Sequence, residues 1–194
     1  MKALASYIAL LPVVLLVAGF AENHAGSIAP KCLRPAMSMT KGWPTTASPR
    51  LPIALRLPAA FVRDTIGSAQ YEDSLRQMGK RIPSASLWRV EWDAQLSIRV
   101  LDAPAPAWPL FGPEDMDSLP EASTCRERIG DAQAVVQSYN KLQWVGEGRY
   151  GPYVVGAQLR FPDGVIISAF GFAETPARQA QMLAAIRTIR LRAP

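Results

Sequence analysis

The last third of the chain constrains its fold more than any other part. Residues 153–161 alternate between apolar and other side chains at the period of a β-strand, and β-branched and aromatic residues are frequent among them. The turn-forming segment Pro162-Asp163-Gly164 follows, and the almost continuously apolar stretch 165–172 predicts a return strand that is covered on both faces. The sequence therefore predicts a β-hairpin whose second strand lies inside a sheet.

An amphipathic helix is predicted after this hairpin. Thr175 supplies a hydroxyl for the free amides of the first turn, and Pro176 occupies the first helical position, where its missing N–H costs nothing. Apolar side chains recur on one helical stripe at Met182, Leu183, Ile186 and Ile189. Polar side chains lie mostly away from that stripe, at Arg178, Gln179, Arg187 and Arg190. We expect the stripe to pack on the sheet.

Upstream stretches with alternating side chains predict further strands. These stretches cover residues 52–57, 87–92, 96–100, 125–129 and 134–139, and a turn is expected at Gly130-Asp131. The stretch 61–79 predicts a short helix, because Tyr71, Leu75 and Met78 recur at nearly helical spacing. Strands and helices in this order are typical of an α+β fold.

Two tryptophans on the predicted strand 87–92 have two interpretations. Trp88, Val90 and Trp92 fall on one face of that strand. The pair could line an aromatic cleft for a ligand, but aromatic residues at strand period are usually part of a core. We therefore expect all three side chains to be buried.

The N-terminus has the pattern of a secretory signal peptide. Lys2 precedes an uncharged apolar run from Ile8 to Phe20, which is too short to cross about 30 Å of hydrocarbon comfortably. The small residues Gly19 and Ala21 predict cleavage after Ala21, which makes residues 1–21 the signal peptide; an uncleaved membrane anchor is the alternative. We predict a secreted or periplasmic protein with no stable membrane span after cleavage.

The rest of the chain divides into a lead-in and one domain. Residues 22–50 are rich in Pro, Ser and Thr and predict an extended lead-in, and residues 51–194 predict a single α+β domain. Cys32 and Cys125 are the only cysteines, and an oxidising compartment favours their pairing. A redox-active thiol pair is the alternative, but it lacks the short Cys-x-x-Cys spacing. We predict a disulfide that ties the lead-in to the domain.

Charge is distributed without a strong basic or acidic run. The net charge of +5 is modest and scattered, so nucleic acid is not an expected partner. The proline-rich stretch 103–123 carries an acidic cluster of Glu114, Asp115, Asp117 and Glu121. A calcium loop would need an ordered Asp-x-Asp-x-Asp-Gly pattern that ends in Glu, and this pattern is missing. We expect a solvated surface loop.

The residues needed for most catalytic sites are missing from the sequence. His24 is the only histidine and lies beside the predicted cleavage site, which excludes serine triads, histidine zinc sites and Cys–His pairs in the domain. Carboxylates and lysines remain available at Asp64, Asp93, Asp131, Glu147, Asp163, Lys41, Lys80 and Lys141. Their spacing brings no two of them together as a carboxylate pair or a Ser–Lys dyad. We predict no catalytic, metal-binding or cofactor-binding residue and no cofactor.

One short motif has the glycine spacing of a dinucleotide-binding fingerprint. Residues 146–151 read Gly-x-Gly-x-x-Gly, and that chemistry needs a strand before the glycines and a helix after them. Pro152 and a strand-like run follow instead. We expect a flexible loop between strands.

The order of elements over residues 51–191 resembles the PsbP-like superfamily. The matching features are a strand that ends in Leu57-Pro58 near Phe61, a turn at Ile129-Gly130, a hairpin closed by Asp163-Gly164 and a terminal helix that ends at 186–189. This resemblance implies an antiparallel sheet between helices and an accessory or binding role, and it supplies no site residue. The insertion at 103–123 and the disulfide depart from the family pattern.

These observations predict a single α+β domain with a twisted antiparallel sheet of about six strands packed against the C-terminal helix. The function we expect is that of an exported non-enzymatic accessory or binding protein of the bacterial cell envelope, whose partner is an envelope protein or a small apolar ligand. One alternative is a histidine-free, carboxylate-dependent hydrolase that acts on envelope material, and another is a purely structural secreted protein. Two acids in one cleft would favour the hydrolase.

Overall fold

The structure, a computed structural model, describes residues 32–80, 84–101, 122–140, 143–145 and 148–192. The predicted signal peptide at 1–21 and the acidic cluster in the stretch 103–123 lie outside these residues. Within the described ranges, no helix is long and apolar enough to cross a membrane.

Twelve strands and two α-helices follow one another in the described chain. The first strands are β1 (Thr45–Ala47), β2 (Ile53–Arg56) and β3 (Val62–Asp64), and α1 (Thr65–Gln77) follows. The middle of the chain forms β4 (Ala85–Val90), β5 (Ala94–Val100), β6 (Ser123–Ile129), β7 (Ala132–Asn140), β8 (Gln143–Val145) and β9 (Gly148–Tyr150). The last elements are β10 (Tyr153–Arg160), β11 (Ile166–Ala173), α2 (Pro176–Ile186) and β12 (Arg190–Leu191). A 3₁₀ turn at Met37–Thr40 precedes them all.

Seven of these strands form one antiparallel sheet. Their order is β3-β4-β5-β11-β10-β7-β6, so β11 lies in the centre, as its continuous apolar sequence predicts. The predicted α+β class is confirmed, with seven strands where about six were expected. The predicted strand 52–57 belongs instead to a small second sheet of order β1-β2-β12, and β8 and β9 form a separate hairpin.

Helix α2 packs on one face of the seven-stranded sheet. Thr175 caps it by accepting a hydrogen bond from the Arg178 amide, and Pro176 is its first residue, as predicted. The expected apolar stripe is fully buried at Met182, Leu183, Ile186 and Ile189. We call this side of the sheet, which carries Val155 and Gly171, the helix face. The other side is the distal face.

The close approach of α2 depends on a glycine in the central strand. A Cβ atom at Gly171 would lie 2.7 Å from the Met182 sulfur and 2.7 Å from the Gln95 carbonyl oxygen. Real Cβ atoms do not approach other atoms so closely, so any larger residue would displace the Met182 side chain of α2 and the backbone of β5.

Trp92 is exposed, and its predicted place in the core was wrong. Strand β4 ends at Val90, and Glu91 adopts a positive φ of 40°, so the alternation stops before it reaches Trp92. Trp88 is fully buried as expected, whereas Trp92 is 93 % exposed on the turn that leads to β5. Hence the two tryptophans form no common cleft.

The lead-in carries more regular structure than expected. Its described part contains the 3₁₀ turn and strand β1, which pairs with β2. The predicted disulfide is confirmed, because Cys32 is bonded to Cys125 on β6. The lead-in is therefore held to the edge strand of the seven-stranded sheet.

Candidate functional site

Three arginines meet on the distal face, where β6, β7 and β10 lie side by side. In the register of these strands, Arg128, Gln133 and Arg160 form one row across the sheet. Neighbouring strands are about 4.8 Å apart, so the backbones of Arg128 and Arg160 are separated by about 10 Å. Arg126 lies two residues before Arg128 on β6 and therefore points to the same face. Guanidinium groups on these long side chains can reach a common centre.

The same residues line a concavity with a volume of about 640 Å³. Its distal-face side chains are Arg126, Arg128, Gln133, Val135 and Arg160, and we call it the arginine concavity. Both arginines of β6 and Arg160 have exposed side chains, and Val135 is buried in the floor. A volume of this size falls within the range of ligand pockets, about 300–1,000 Å³.

Among the described residues that line the arginine concavity, basic side chains outnumber acidic ones. Of the described residues that line it, Glu127 is the single acid, and strand alternation points its side chain to the helix face. In the described part of the chain, neither Arg126 nor Arg128 forms an ion pair. Arg99 on β5 lies on the same face, in register with Ser168. The surroundings therefore favour an anion.

Gln158 orients one of the three arginines. Its side-chain oxygen accepts hydrogen bonds from Nε and Nη2 of Arg160, at 3.3 and 3.2 Å. Gln158 is 1 % exposed, and its Nε2 atom has no hydrogen-bond partner among the described residues. It stands in register with Val135, so a buried amide donor lies next to the concavity.

Beneath the concavity, Glu127 belongs to a partly buried network that joins three parts of the chain. The Glu127 carboxylate accepts from Arg187 Nε at 2.8 Å and pairs with Arg34 Nε at 3.2 Å. Arg187, at the end of α2, also donates to the carbonyl oxygens of Leu183 and Leu33. Its Nη2 atom lies 3.5 Å from the sulfur of Cys125. The network therefore anchors β6, and with it the two arginines of the concavity, to the helix and the lead-in.

Arg187 is a buried cation, and the amphipathic pattern did not reveal it. Burial lowers the pKa of its guanidinium from the ordinary value, and the nearby Glu127 carboxylate raises it again. The guanidinium stays protonated, because an arginine cannot lose its proton under ordinary conditions. Our prediction that Arg187 and Gln179 lie away from the buried stripe was wrong for both, since both are buried.

Of the acids considered for catalysis, the four that the structure describes are paired or exposed. Ion pairs join Asp64 to Arg89 and Asp93 to Arg178. Two further acids are also paired, Glu72 with Arg50 and Arg76, and Asp73 with Arg76. Asp131 and Asp163 are exposed beside turns, and Glu147 lies outside the described residues. Lys41 and Lys80 are exposed, and Lys141 is also outside. In the ranges that the structure covers, no three His, Cys, Asp or Glu side chains come together as a metal site.

The glycine motif at 146–151 does not have the surroundings of a dinucleotide site. Strand β9 occupies Gly148–Tyr150, and strand β10 follows from Tyr153. A strand therefore follows the motif where a helix would be required, as expected from the sequence. The predicted loop was wrong for Gly148–Tyr150, which pair with β8 as strand β9.

Sequence reasoning missed the arginine concavity. The alternation Arg126-Glu127-Arg128 on a predicted strand signals two cations on one face, and this signal could have been used. Arg160 lies far along the chain and joins them only through the pairing of β7 with β10. Comparison with known proteins adds no identification, because no family model, curated protein or solved structure matches this chain.

Proposed function

We propose that this chain is an exported, non-enzymatic accessory or binding protein of a bacterial cell envelope, and that it binds an anionic group in the arginine concavity. The observation that carries the proposal is the convergence of Arg126, Arg128 and Arg160 around one open concavity. Guanidinium groups recognise oxyanions through several directed N–H donors, which makes such a cluster suited to binding.

Export and the envelope location are supported by two features. The signal peptide predicted at 1–21 would deliver the chain to an oxidising compartment, and the Cys32–Cys125 disulfide is compatible with that compartment. The charged lining of the concavity favours an anionic partner over the small apolar ligand that the sequence left open.

A hydrolase is less well supported than a binding protein. Hydrolysis by carboxylates needs two acids in one cleft, and Glu127 is the single acid among the described residues that line the concavity. Its carboxylate is held by Arg34 and Arg187. Membership of the PsbP-like superfamily stays a proposal as well; its support is the element order of a leading strand, paired central hairpins and a terminal helix.

Salt-dependent retention on an immobilised polyanion such as dextran sulfate tests the proposed function. We expect the triple variant R126Q/R128Q/R160Q to elute at clearly lower salt than the wild type, because three arginine contacts to the sulfate groups of the polymer are lost. The matched control is K41Q/R56Q/K80Q, which removes three exposed charges away from the concavity. Both variants have the same net charge.

The control should elute close to the wild type. Equal elution of the two triple variants would mean that net charge alone attracts the polyanion, and this result would contradict the proposal.

A further inference from the structure

We propose that the anionic group recognised by the arginine concavity is a phosphoryl group carried on a larger molecule. This inference rests on the proposed function, since it specifies the ligand of the same site. It is drawn from the number of the donors around the concavity and from the strands that carry them.

The donors come from three neighbouring strands, β6, β7 and β10. Arg128 and Arg160 stand at the two ends of one row, with Gln133 between them, and Arg126 stands beside that row on β6. A carboxylate has two oxygens in one plane, and a single arginine can satisfy both by a bidentate pair. A phosphoryl group has three strong acceptor oxygens in a non-planar arrangement and a charge of about −1.5 to −2. Three arginines from two strands supply enough donors for all three oxygens, so they match the phosphoryl group better.

Gln158, next to the concavity, holds one of the arginine donors in place. Gln158 holds Arg160 through its side-chain oxygen, so the Arg160 guanidinium loses little freedom when an anion binds. The Nε2 atom of Gln158 is buried and has no hydrogen-bond partner in the described part of the chain. Gln158 is thus a positioning residue for Arg160.

The size of the concavity indicates a ligand larger than inorganic phosphate. A volume of about 640 Å³ leaves room beside one phosphoryl group for the body of a phosphorylated molecule. The exposed Gln133 in the row and the buried Val135 in the floor provide a polar and an apolar contact for that body. A soluble phosphomonoester and a phospholipid headgroup share this chemistry.

Calorimetric titration of the full chain at constant ionic strength tests the inference. The probes are inorganic phosphate, glycerol phosphate, citrate as the carboxylate of comparable charge, and vesicles of phosphatidylcholine with and without phosphatidic acid. We expect both phosphate compounds to bind at least about tenfold more tightly than citrate, since each charge-assisted hydrogen bond is worth about 1.5–3 kcal/mol and 1.4 kcal/mol is a factor of ten. Binding of vesicles only when they contain phosphatidic acid, with little affinity for glycerol phosphate, would identify the lipid headgroup as the source.

Amino-acid substitutions test whether the named residues cause the preference for phosphate over citrate. R126Q/R128Q/R160Q should lose about tenfold or more in affinity for glycerol phosphate, and K41Q/R56Q/K80Q should keep the wild-type value. Q158M should weaken phosphate binding while citrate binding stays unchanged, since it removes the acceptor that orients Arg160. If the triple variant does not fold, the exposed single variants R126Q and R128Q decide the question by the same titration.

Three results would overturn the inference in distinguishable ways. Equal affinity for citrate and phosphate would refute the phosphoryl selectivity and leave the proposed anion-binding function intact. Absence of binding to every anion would refute both. Aggregation of the triple variant, with no phosphate binding by the wild type, would mean that Arg126 and Arg128 serve to protect the edge strand β6 from pairing.

Discussion

Replacement of Arg187 by methionine is expected to lower the free energy of unfolding by about 3–5 kcal/mol, because it leaves a buried carboxylate without its main partner. The Arg187 side chain is 6 % exposed and donates to Glu127, whose side chain is 12 % exposed. The remaining partner, Arg34, is 59 % exposed and therefore compensates little. The substitution also removes the bonds from Arg187 to the carbonyl oxygens of Leu183 and Leu33.

Urea unfolding followed by circular dichroism measures this loss. The exposed variant R56Q is the control and should stay within about 0.5 kcal/mol of the wild type. The double variant E127L/R187M removes both charges, so it should recover part of the loss seen in R187M. If R187M unfolds at the same urea concentration as R56Q, the buried network does not hold β6 to α2.

The second large effect concerns the disulfide. The double variant C32S/C125S should lose about 2–5 kcal/mol of stability, because the bond closes a long loop in the unfolded chain. The bonded cysteines are 93 positions apart, so the entropic gain lies near the upper end of that range. In the folded chain, the bond also brings Leu33 to β6, where its amide donates to the Ser123 hydroxyl at 2.6 Å.

Guanidinium chloride unfolding with and without a reducing agent tests the disulfide prediction. Reduction should destabilise the wild type about as much as the double substitution and should leave C32S/C125S unchanged. A wild type that is insensitive to reduction would contradict the prediction. The effects of the disulfide and of R187M should be non-additive, since Arg187 contacts both Cys125 and Leu33.

Local patterns in the sequence predicted the hairpin β10–β11 and the helix α2 well, because period, turn chemistry and capping all act between near neighbours. The Thr175 cap, the Pro162-Asp163-Gly164 turn and the central position of β11 follow from such local rules. The exposed Trp92 was missed, since the end of β4 depends on the backbone conformation of Glu91. A strand pattern alone does not reveal where a turn begins.

The burial of polar side chains at α2 was also missed, and the reason differs from that for Trp92. Gln179 looks like a surface residue, yet its Nε2 atom donates to the carbonyl oxygens of Tyr139 and Val154, at 3.3 and 3.0 Å. Arg187 likewise finds its partner on β6. The amphipathic pattern describes one helix, whereas these partners come from strands elsewhere in the chain.

The arginine concavity depends partly on a local sequence pattern and partly on contacts between distant strands. Arg126 and Arg128 share a face by strand alternation, which is visible in the sequence. Arg160 joins them through strand register, and Gln158 orients it. Register between distant strands is decided by the whole sheet, so only the structure assembles the site.

A crystal soaked in tungstate tests the central claim most directly. Tungstate is a tetrahedral dianion whose heavy atom gives a strong anomalous signal, and it imitates a phosphoryl group. We predict an anomalous peak within hydrogen-bonding distance of Arg126, Arg128 and Arg160, and no such peak in crystals of R126Q/R128Q/R160Q. Ordered tungstate elsewhere on the surface, with none between these three arginines, would contradict the assignment of the concavity as an anion-binding site.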